Sequence, residues 1–315
     1  MNDLTHAGTA AGATLSPRLN QWNAFWFTPE APTNLGICRA MFYALVLCFF
    51  ADETFAPWAS LGRQSAFWAP LWMYQTLHWP LLPGKVLLLL GIVWKIALIL
   101  SCLGLFTRIS AWVSALLGVY LISLTFNYGK VETHTLPLIF ILFILALSRS
   151  GDGFSLDARR RRRRSLAPVP ASGEYRWPIR MVWLLMSIGF FAAALAKLRA
   201  SGIHWATGQG FSLLIRRHYY DPTPPPARWG LTIANHAWLA HLFAAGSLLT
   251  ELLFPLALFD RRARRFFPLM ALAMQVGIGL AMGIWFTRFL AAYIFWVPWD
   301  RMLGMQEKSP AKQLA

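Results

Sequence analysis

Lys197 is the side chain whose type and position most clearly suggest chemistry. The stretch 181–196 before it carries no charged side chain, and these 16 residues of helix at 1.5 Å each cover about 24 Å of a hydrocarbon core about 30 Å thick. Lys197 is therefore predicted at the rim of the membrane. A lysine shielded from water favours its neutral, basic form, which can remove a proton from a substrate. Lysines at helix ends also commonly extend to the lipid headgroups, and that alternative stays open.

The residues before Lys197 predict the direction of its side chain. Gly189, Ala193 and Lys197 recur every four residues and therefore share one face of a helix. Small residues at this spacing pack against a neighbouring membrane helix. We therefore expect Lys197 to point into the helix bundle rather than into the lipid.

A second ionisable group lies in the sequence NYGKVETH at 127–134, which contains Lys130, Glu132 and His134. It joins two predicted membrane helices and is expected at the same membrane level as Lys197. A histidine or a glutamate at that level can relay a proton for the lysine. An ordinary polar turn is the alternative interpretation. The histidines show no spacing typical of metal ligands, so no metal site is predicted.

A third polar group is predicted inside the membrane. Glu251 lies on a polar stripe of an apolar segment, and an ionised carboxylate near the bilayer centre costs about 2.5 to 3.5 kcal/mol. It should therefore have a cationic partner or be protonated. We predict a buried polar core of Lys95, Glu251 and Gln275, which are expected at similar depths, with Arg39 as the alternative partner. Such a core serves either as a structural pair or as a proton path.

The composition identifies the class of protein. Of 315 residues, 57% are hydrophobic and 13% are charged, whereas soluble domains have about 25% charged residues. The chain is therefore expected to be an integral membrane protein. Its net charge of +16 lies in short runs between apolar segments, which is typical of topology signals and not of a nucleic-acid-binding face. The three cysteines form no Cys-x-x-Cys pair, so no dithiol redox site is predicted.

Apolar windows predict an all-α bundle of eight membrane helices, with seven as the alternative count. They lie near residues 35–52, 83–104, 109–127, 134–149, 178–197, 238–259, 266–283 and 286–300. The arginine-rich segments 149–180 and 261–265 are expected inside, which places both termini inside and Lys197 outside. The outer loops are expected to carry short amphipathic helices. We assign one transmembrane domain over 1–315, with an interfacial segment at 1–34 and a basic cytoplasmic loop and linker at 150–177.

Several segments carry, in the same order, a resemblance to a known family. They are NAFWFTPEAPTNLGICRAMFYALVL with Arg39, LGLFTRISAW, THTLPLIFILFILALS with His134, SGDGFSLD, GFFAAALAKLRASGIHW with Lys197, and ELLFPLALF, which begins at Glu251. Over nearly its whole length the chain resembles the HTTM family, the horizontally transferred transmembrane domain shared with vitamin K-dependent gamma-carboxylase.

The resemblance implies roles for two residues. In the carboxylase, a lysine in the corresponding segment is regarded as the base that deprotonates vitamin K hydroquinone, and a histidine in the earlier outer segment assists it. Lys197 would take the first role and His134 the second, with a quinol or vitamin K-like molecule as cofactor. The sequence differs from the carboxylase in having Ala196 beside Lys197 and in ending at Ala315, without the large lumenal domain. Carboxylation of protein glutamates is therefore not expected.

Two functional hypotheses follow. In the first, a quinone or another lipid-soluble substrate enters between helices, stacks on Trp205 and loses a proton to Lys197. The other residues assigned to this outer pocket are Lys130, Glu132, His134 and His204. In the second, the protein is a non-catalytic membrane scaffold, a maturation partner or a small transporter. Both hypotheses place it in a bacterial-type cytoplasmic membrane with anionic lipids at the inner face, without nucleic acid and without an identified protein partner.

Overall fold

The chain is built of α-helices and short 3-10 helices in the computed structural model, which describes residues 17–63, 66–129, 131–164, 167, 169–207, 209–220 and 229–305. Within these residues there is no β-strand, and one isolated antiparallel bridge joins Glu30 to Ser172. The all-α class predicted from the sequence is confirmed.

The described residues form these α-helices: α1 (Pro17–Phe27), α2 (Pro32–Phe49), α3 (Ala56–Leu61), α4 (Trp72–Thr76), α5 (Gly84–Leu103), α6 (Thr107–Thr125), α7 (Leu136–Leu147), α8 (Leu156–Arg163), α9 (Trp177–Ser201), α10 (His204–Thr207), α11 (Gly210–Tyr219), α12 (Trp229–Asn235), α13 (Ala237–Leu253), α14 (Leu256–Phe259), α15 (Arg261–Met282), α16 (Leu290–Tyr293) and α17 (Trp299–Met302). Short 3-10 helices lie at Gly173–Tyr175, Thr287–Phe289 and Ile294–Trp296.

Long apolar helices form the frame of the protein. In the part of the chain that the structure describes, five segments are long and apolar enough to cross a membrane: α2, α5, α6, α9 with the 3-10 turn before it, and α15. The helices α7 and α13 are also apolar but shorter, with 12 and 17 residues. This arrangement is that of a multi-pass membrane protein.

The predicted span at 286–300 is not one continuous helix. It is divided into the 3-10 turn Thr287–Phe289, α16, the 3-10 turn Ile294–Trp296 and α17, and Pro298 precedes α17. The predicted span at 134–149 is also shorter than expected, because Pro137 begins α7 and Ser148, in extended conformation, ends it. An apolar window measures hydrophobicity and does not distinguish a complete helix from a broken one.

The main core lies between α2, α5, α6, α7 and α9. Its central side chain is Trp94, which is fully buried, packs edge-on against Phe50 and Phe55, and donates from Nε1 to the Ser114 carbonyl at 2.9 Å. A Cβ at position 118 would lie 3.2 Å from Trp94 Nε1, so Gly118 leaves the space for this indole. The buried indole and its hydrogen bond join α5 to α6.

A second, smaller core lies at one end of the bundle. It is formed by α11, α12, the first half of α13 and the last turn of α15, with the buried residues Phe211, Ile215, Ile233, Ala234, Ala240, Ala244, Ala281 and Met282. We call this end, where α9 finishes and where residues 126–135 join α6 to α7, the lysine end. The opposite end, which carries α8, is the arginine end.

The segment 150–177 has more structure than the predicted loop and linker. The arginine run forms α8, and Asp152 accepts hydrogen bonds at 2.9 to 3.0 Å from Arg149, Arg161 and Tyr175. This carboxylate therefore holds α8 and the 3-10 turn before α9 together. Residues 165, 166 and 168 of the predicted linker lie outside the described residues.

Asp260 is the N-cap residue of α15, and its carboxylate gives the stability of the protein a dependence on pH. Its Oδ2 accepts a hydrogen bond from the Ala263 backbone nitrogen at 2.7 Å, and this bond lowers the pKa of the Asp260 carboxyl below its ordinary value. Because the folded pKa is below the unfolded one, the contribution is present above about pH 4 and is lost as the pH falls through the folded pKa.

We therefore expect Asp260→Ala to lower the midpoint of thermal unfolding in detergent at pH 7, and to lower it by less as the pH falls towards about 2. Asp52→Ala is the matched control, because Asp52 is exposed and caps no helix. If Asp260→Ala lowered the unfolding midpoint by the same amount at both pH values, the pH-dependent capping role of Asp260 would be contradicted.

Candidate functional site

Lys197 lies one turn before the end of α9. The helix starts with Pro178 in its first turn, continues past Lys197 to Ser201 and stops at Gly202, whose φ is 58°. A positive φ is readily adopted only by glycine, so Gly202 permits the reversal of the chain that follows. The lysine is consequently within the helical part of the bundle rather than at its last residue.

The face of α9 that packs against the bundle differs from the predicted stripe of small residues. Gly189 is exposed, and a Cβ there would have no neighbour within 4 Å. The buried residues are Met186, Phe190 and Ala194 at four-residue spacing, and Lys197 follows Ala194 by one turn. Lys197 therefore points inward as expected, but from a stripe that is mainly aromatic and aliphatic.

Lys197 forms an ion pair with Glu251. Both carboxylate oxygens of Glu251 accept hydrogen bonds from Lys197 Nζ. The Glu251 side chain is 6% exposed, whereas the Lys197 side chain is 22% exposed. The Lys197 side chain is thus partly accessible from outside the bundle, whereas the Glu251 side chain behind it is buried. A carboxylate this far from water requires such a cation.

Glu251 reaches Lys197 because α9 and α13 pack side by side in opposite directions. Beyond the ion pair, Phe190 of α9 contacts Phe254, with ring centroids 4.5 Å apart. The first half of α13 belongs to the second core, and α13 ends at Leu253. Glu251 is therefore near the end of its helix and level with Lys197, whereas the sequence-based depths placed the two residues apart.

The short helix α10 covers the ion pair. After the reversal at Gly202 it packs against α13, and the centre of the Trp205 ring lies 5.3 Å from Lys197 Nζ. The face of an aromatic ring attracts an ammonium at this distance. Trp205 Nε1 is buried and has no hydrogen-bond acceptor among the described residues. The site thus contains a hydrogen-bond donor that no described residue uses.

Glu132 and His134 form a separate cluster around Arg288. Arg288 Nη1 donates to Glu132 Oε2 at 2.6 Å and to Thr135 Oγ1 at 3.1 Å. His134 Nε2 lies 3.8 Å from the same Glu132 oxygen. The Arg288 guanidinium also lies 4.7 Å from the centre of the Phe50 ring. This cluster joins α2, α7 and the 3-10 turn Thr287–Phe289, and its carboxylate serves Arg288 rather than Lys197.

The remaining residues of the predicted outer pocket are Lys130 and His204. Lys130 lies outside the described residues, and His204 is exposed at the start of α10, next to Trp205. Within the part of the chain that is described, no group of three or more His, Cys, Asp or Glu side chains is arranged to hold a metal ion.

The predicted polar core of Lys95, Glu251 and Gln275 does not form. Lys95 Nζ donates instead to the carbonyls of Ala51 and Glu53, at 2.6 and 3.1 Å, beyond the end of α2. Similar depths bring side chains together only on neighbouring helices. In the fold, α5 packs against α2 and α6, while α13 packs against α9.

Arg39, the alternative partner for Glu251, is fully buried at the arginine end. Its Nη1 donates to the Ser150 carbonyl at 3.0 Å and its Nη2 to the Phe154 carbonyl at 2.7 Å. Gln275 is also engaged elsewhere, since its Oε1 accepts a hydrogen bond from Tyr293 Oη at 3.2 Å. Arg39 therefore holds α2 against the loop 150–155 and has no part in the lysine-end site.

The sequence of this chain matches the profile of a known domain, the HTTM domain, over residues 27–296. The chain belongs to the HTTM family. The match begins at the last residue of α1 and ends with the 3-10 turn Ile294–Trp296, so it includes both the Lys197–Glu251 pair and the Arg288 cluster of this HTTM protein. No curated protein and no solved structure is significantly similar to the chain.

Two features of the HTTM protein's site were missed from the sequence. Arg288 is a single arginine in an apolar segment near the lysine end, a signal that indicates a buried or paired cation. The pairing of Lys197 with Glu251 had a comparable signal, since each is an ionisable residue in an apolar helix that needs an opposite charge.

Proposed function

We propose that this HTTM protein binds a weakly acidic, lipid-soluble substrate of the quinol class and that the Lys197–Glu251 pair accepts its proton. The observation that carries the proposal is the ion pair itself, in which an accessible lysine is backed by a carboxylate that solvent does not reach. An ammonium fixed only for helix packing does not need this access from outside the bundle.

The pair provides two positions for one proton. Transfer of a proton from the Lys197 ammonium to the Glu251 carboxylate neutralises both groups and leaves a free amine. That amine then takes the proton of a quinol hydroxyl, which produces a quinolate anion beside the restored ammonium while Glu251 keeps the first proton. A phenolic hydroxyl titrates near pH 10 and a lysine amine at about the same pH, so the transfer is well matched.

Trp205 supplies the second contact to the substrate. One face of its ring is occupied by Lys197, so a quinol whose hydroxyl reaches Lys197 would lie against the edge of the indole. The unused Nε1–H can donate to a substrate oxygen. In this arrangement Trp205 positions the hydroxyl at Lys197.

The arginine distribution supports an outward-facing site. Exposed arginines of α8 and of the first turn of α15 lie at the arginine end, which would face the cytoplasm of a bacterial-type cell. The lysine end would then face outward from the cytoplasmic membrane.

A structural role is the second candidate, and a specific observation favours it. Both oxygens of Glu251 are engaged by Lys197, so the pair already satisfies itself and joins α9 to α13. Under this alternative the protein is a membrane scaffold, a maturation partner or a small transporter, and the ion pair contributes to stability alone.

Menadiol, a naphthoquinol, is a suitable probe because its deprotonated form reacts with dioxygen faster than the neutral quinol. We expect the purified protein in lipid nanodiscs to accelerate oxygen consumption by menadiol at pH 7. The double variant Lys197→Met, Glu251→Leu should reduce the accelerated rate about 100-fold, the usual contribution of a general base. Trp205→Phe should raise KM more than it lowers kcat, because it removes only the donor.

Arg199→Met is the matched control, since Arg199 is an exposed cation on the same helix and should keep the full rate. A folded double variant with the wild-type rate would exclude the quinol proposal and favour the structural role.

A further inference from the structure

Arg180 is a buried cation at the arginine end that the proposed reaction does not use. Its side chain lies in the first turns of α9 and is only 6% exposed. Its Nη1 is buried and has no hydrogen-bond acceptor among the described residues. A buried guanidinium without an oxygen partner is costly, and arginine in this setting usually binds a carboxylate or a phosphate.

Two further arginines surround Arg180. The guanidinium groups of Arg180 and Arg264 lie 3.9 and 4.7 Å from the centre of the Trp183 ring. Arg176 precedes Arg180 by one helical turn. Both Arg176 and Arg264 interact electrostatically with Arg180. The site therefore concentrates positive charge around one indole.

The carboxylate of Glu30 acts electrostatically on Arg180 but is bound by a neighbouring arginine. Glu30 accepts a hydrogen bond from Arg176 Nη1 at 3.0 Å, so it is already engaged. Arg264 donates to the carbonyls of Ala257 and Leu258, at 3.1 and 2.9 Å. These contacts leave the Arg180 guanidinium against two ring faces, with its Nη1 not hydrogen-bonded to any carboxylate of the described residues.

A second unused donor lies beside the same site. The Phe25 ring of α1 lies 4.9 Å from the Arg180 guanidinium, and its centroid is 5.0 Å from that of the Trp26 ring. Trp26 is 8% exposed, and its Nε1 is buried without an acceptor among the described residues. Two buried N–H donors thus lie near Phe25, and neither has an acceptor among the described residues.

We propose that the arginine end of this protein binds a phosphate group between α1 and α9, with Arg180 as its ionic partner and the Trp26 indole as a further donor. The phosphate oxygens would accept from both groups, and the excess positive charge selects a group with net negative charge. The side chains of Leu19, Trp22 and Phe27 on α1 are exposed, which suits contact with acyl chains. The source favoured by this setting is the headgroup of an anionic phospholipid.

The test uses the purified full chain in neutral detergent and follows thermal unfolding. The added probes are dihexanoyl phosphatidylglycerol, dihexanoyl phosphatidylcholine and inorganic phosphate at equal concentrations. We expect phosphatidylglycerol to raise the unfolding midpoint and phosphatidylcholine not to, because the three arginines repel its choline cation. Stabilisation by inorganic phosphate equal to that by phosphatidylglycerol would support the phosphate site and assign it to a soluble anion.

Variants locate the site. Arg180→Gln should weaken binding of phosphatidylglycerol about tenfold, the expected effect of one charge-assisted hydrogen bond. Trp26→Phe removes only the N–H donor and serves as a second variant if Arg180→Gln does not fold. Arg262→Gln, which removes an exposed arginine at the same end, should bind as the wild type does.

Three outcomes would overturn the proposal. One is wild-type affinity in both Arg180→Gln and Trp26→Phe, another is equal loss in Arg262→Gln, and the third is the absence of any difference between the two lipids. The menadiol rate should be unchanged in Arg180→Gln, because this site is at the opposite end of α9 from Lys197.

Discussion

Replacement of Lys197 by methionine is expected to lower the free energy of unfolding by about 2 to 3 kcal/mol, because Glu251 then stays buried without its cation. Breaking a fully buried ion pair costs about 3 to 5 kcal/mol, and the partial exposure of Lys197 reduces this cost. The measurement is equilibrium unfolding in mixed micelles, followed by the helical circular dichroism signal.

The double variant Lys197→Met, Glu251→Leu should recover most of that stability, because two apolar side chains then replace the pair. Its activity with menadiol should not recover, which separates the structural contribution of the pair from its chemical one. Arg199→Met should change stability by less than about 0.5 kcal/mol. Equal instability of the single and double variants would mean that the buried charge is not the cause.

Gly36→Ala is expected to destabilise the protein by about 3 kcal/mol, at the upper end of what an added methyl group costs in a packed interior. A Cβ at position 36 would lie 2.1 Å from the carbonyl oxygen of Gly153. The obstructing atom is backbone, so α2 would have to move away from the loop 150–155 that accepts the hydrogen bonds of Arg39.

Gly189→Ala provides the matched control for this substitution. It adds the same methyl group to another membrane helix, where nothing lies within 4 Å of the new Cβ. Alanine is favoured over glycine in helices by about 1 kcal/mol, so this variant should be neutral or slightly more stable. Equal losses from Gly36→Ala and Gly189→Ala would contradict the contact between α2 and the loop.

The helix α9 connects the Lys197 site at one end of the bundle to the Arg180 site at the other end. Arg180 and Lys197 are separated by roughly 26 Å along the helix at 1.5 Å per residue. Charges this far apart are weakly coupled at physiological ionic strength. Variants at one end can therefore be used as folded controls for experiments at the other end.

The Lys197 site was predictable in part. Its inward direction was predicted from the small residues Gly189 and Ala193 on the same helix face, and the structure places Lys197 against Glu251 although Gly189 itself is exposed. The partner of Glu251 was predicted wrongly as Lys95, which instead donates to the carbonyls of Ala51 and Glu53. Depth along each helix was inferred from the limits of apolar windows, and α13 is displaced because its first half packs in the second core.

The sequence by itself determined the class of the protein, its long helices and its family. These properties depend on local hydrophobicity, on charge distribution and on the order of segments, and all three can be determined from the sequence without the tertiary structure. The breaks in the segment 286–300 and the shortness of α7 depend on prolines and on packing, so the windows could not show them.

Only the tertiary structure decided which charged groups meet. A helix of about 20 residues has several possible neighbours in a bundle, and the periodicity of one helix does not identify which of them lies beside it. The contacts of α9 with α13 pair Lys197 with Glu251, and the contact of α9 with α1 leaves Arg180 beside Phe25, with its Nη1 not hydrogen-bonded to any described residue. The chemistry assigned to the two ends of α9 follows from these neighbours.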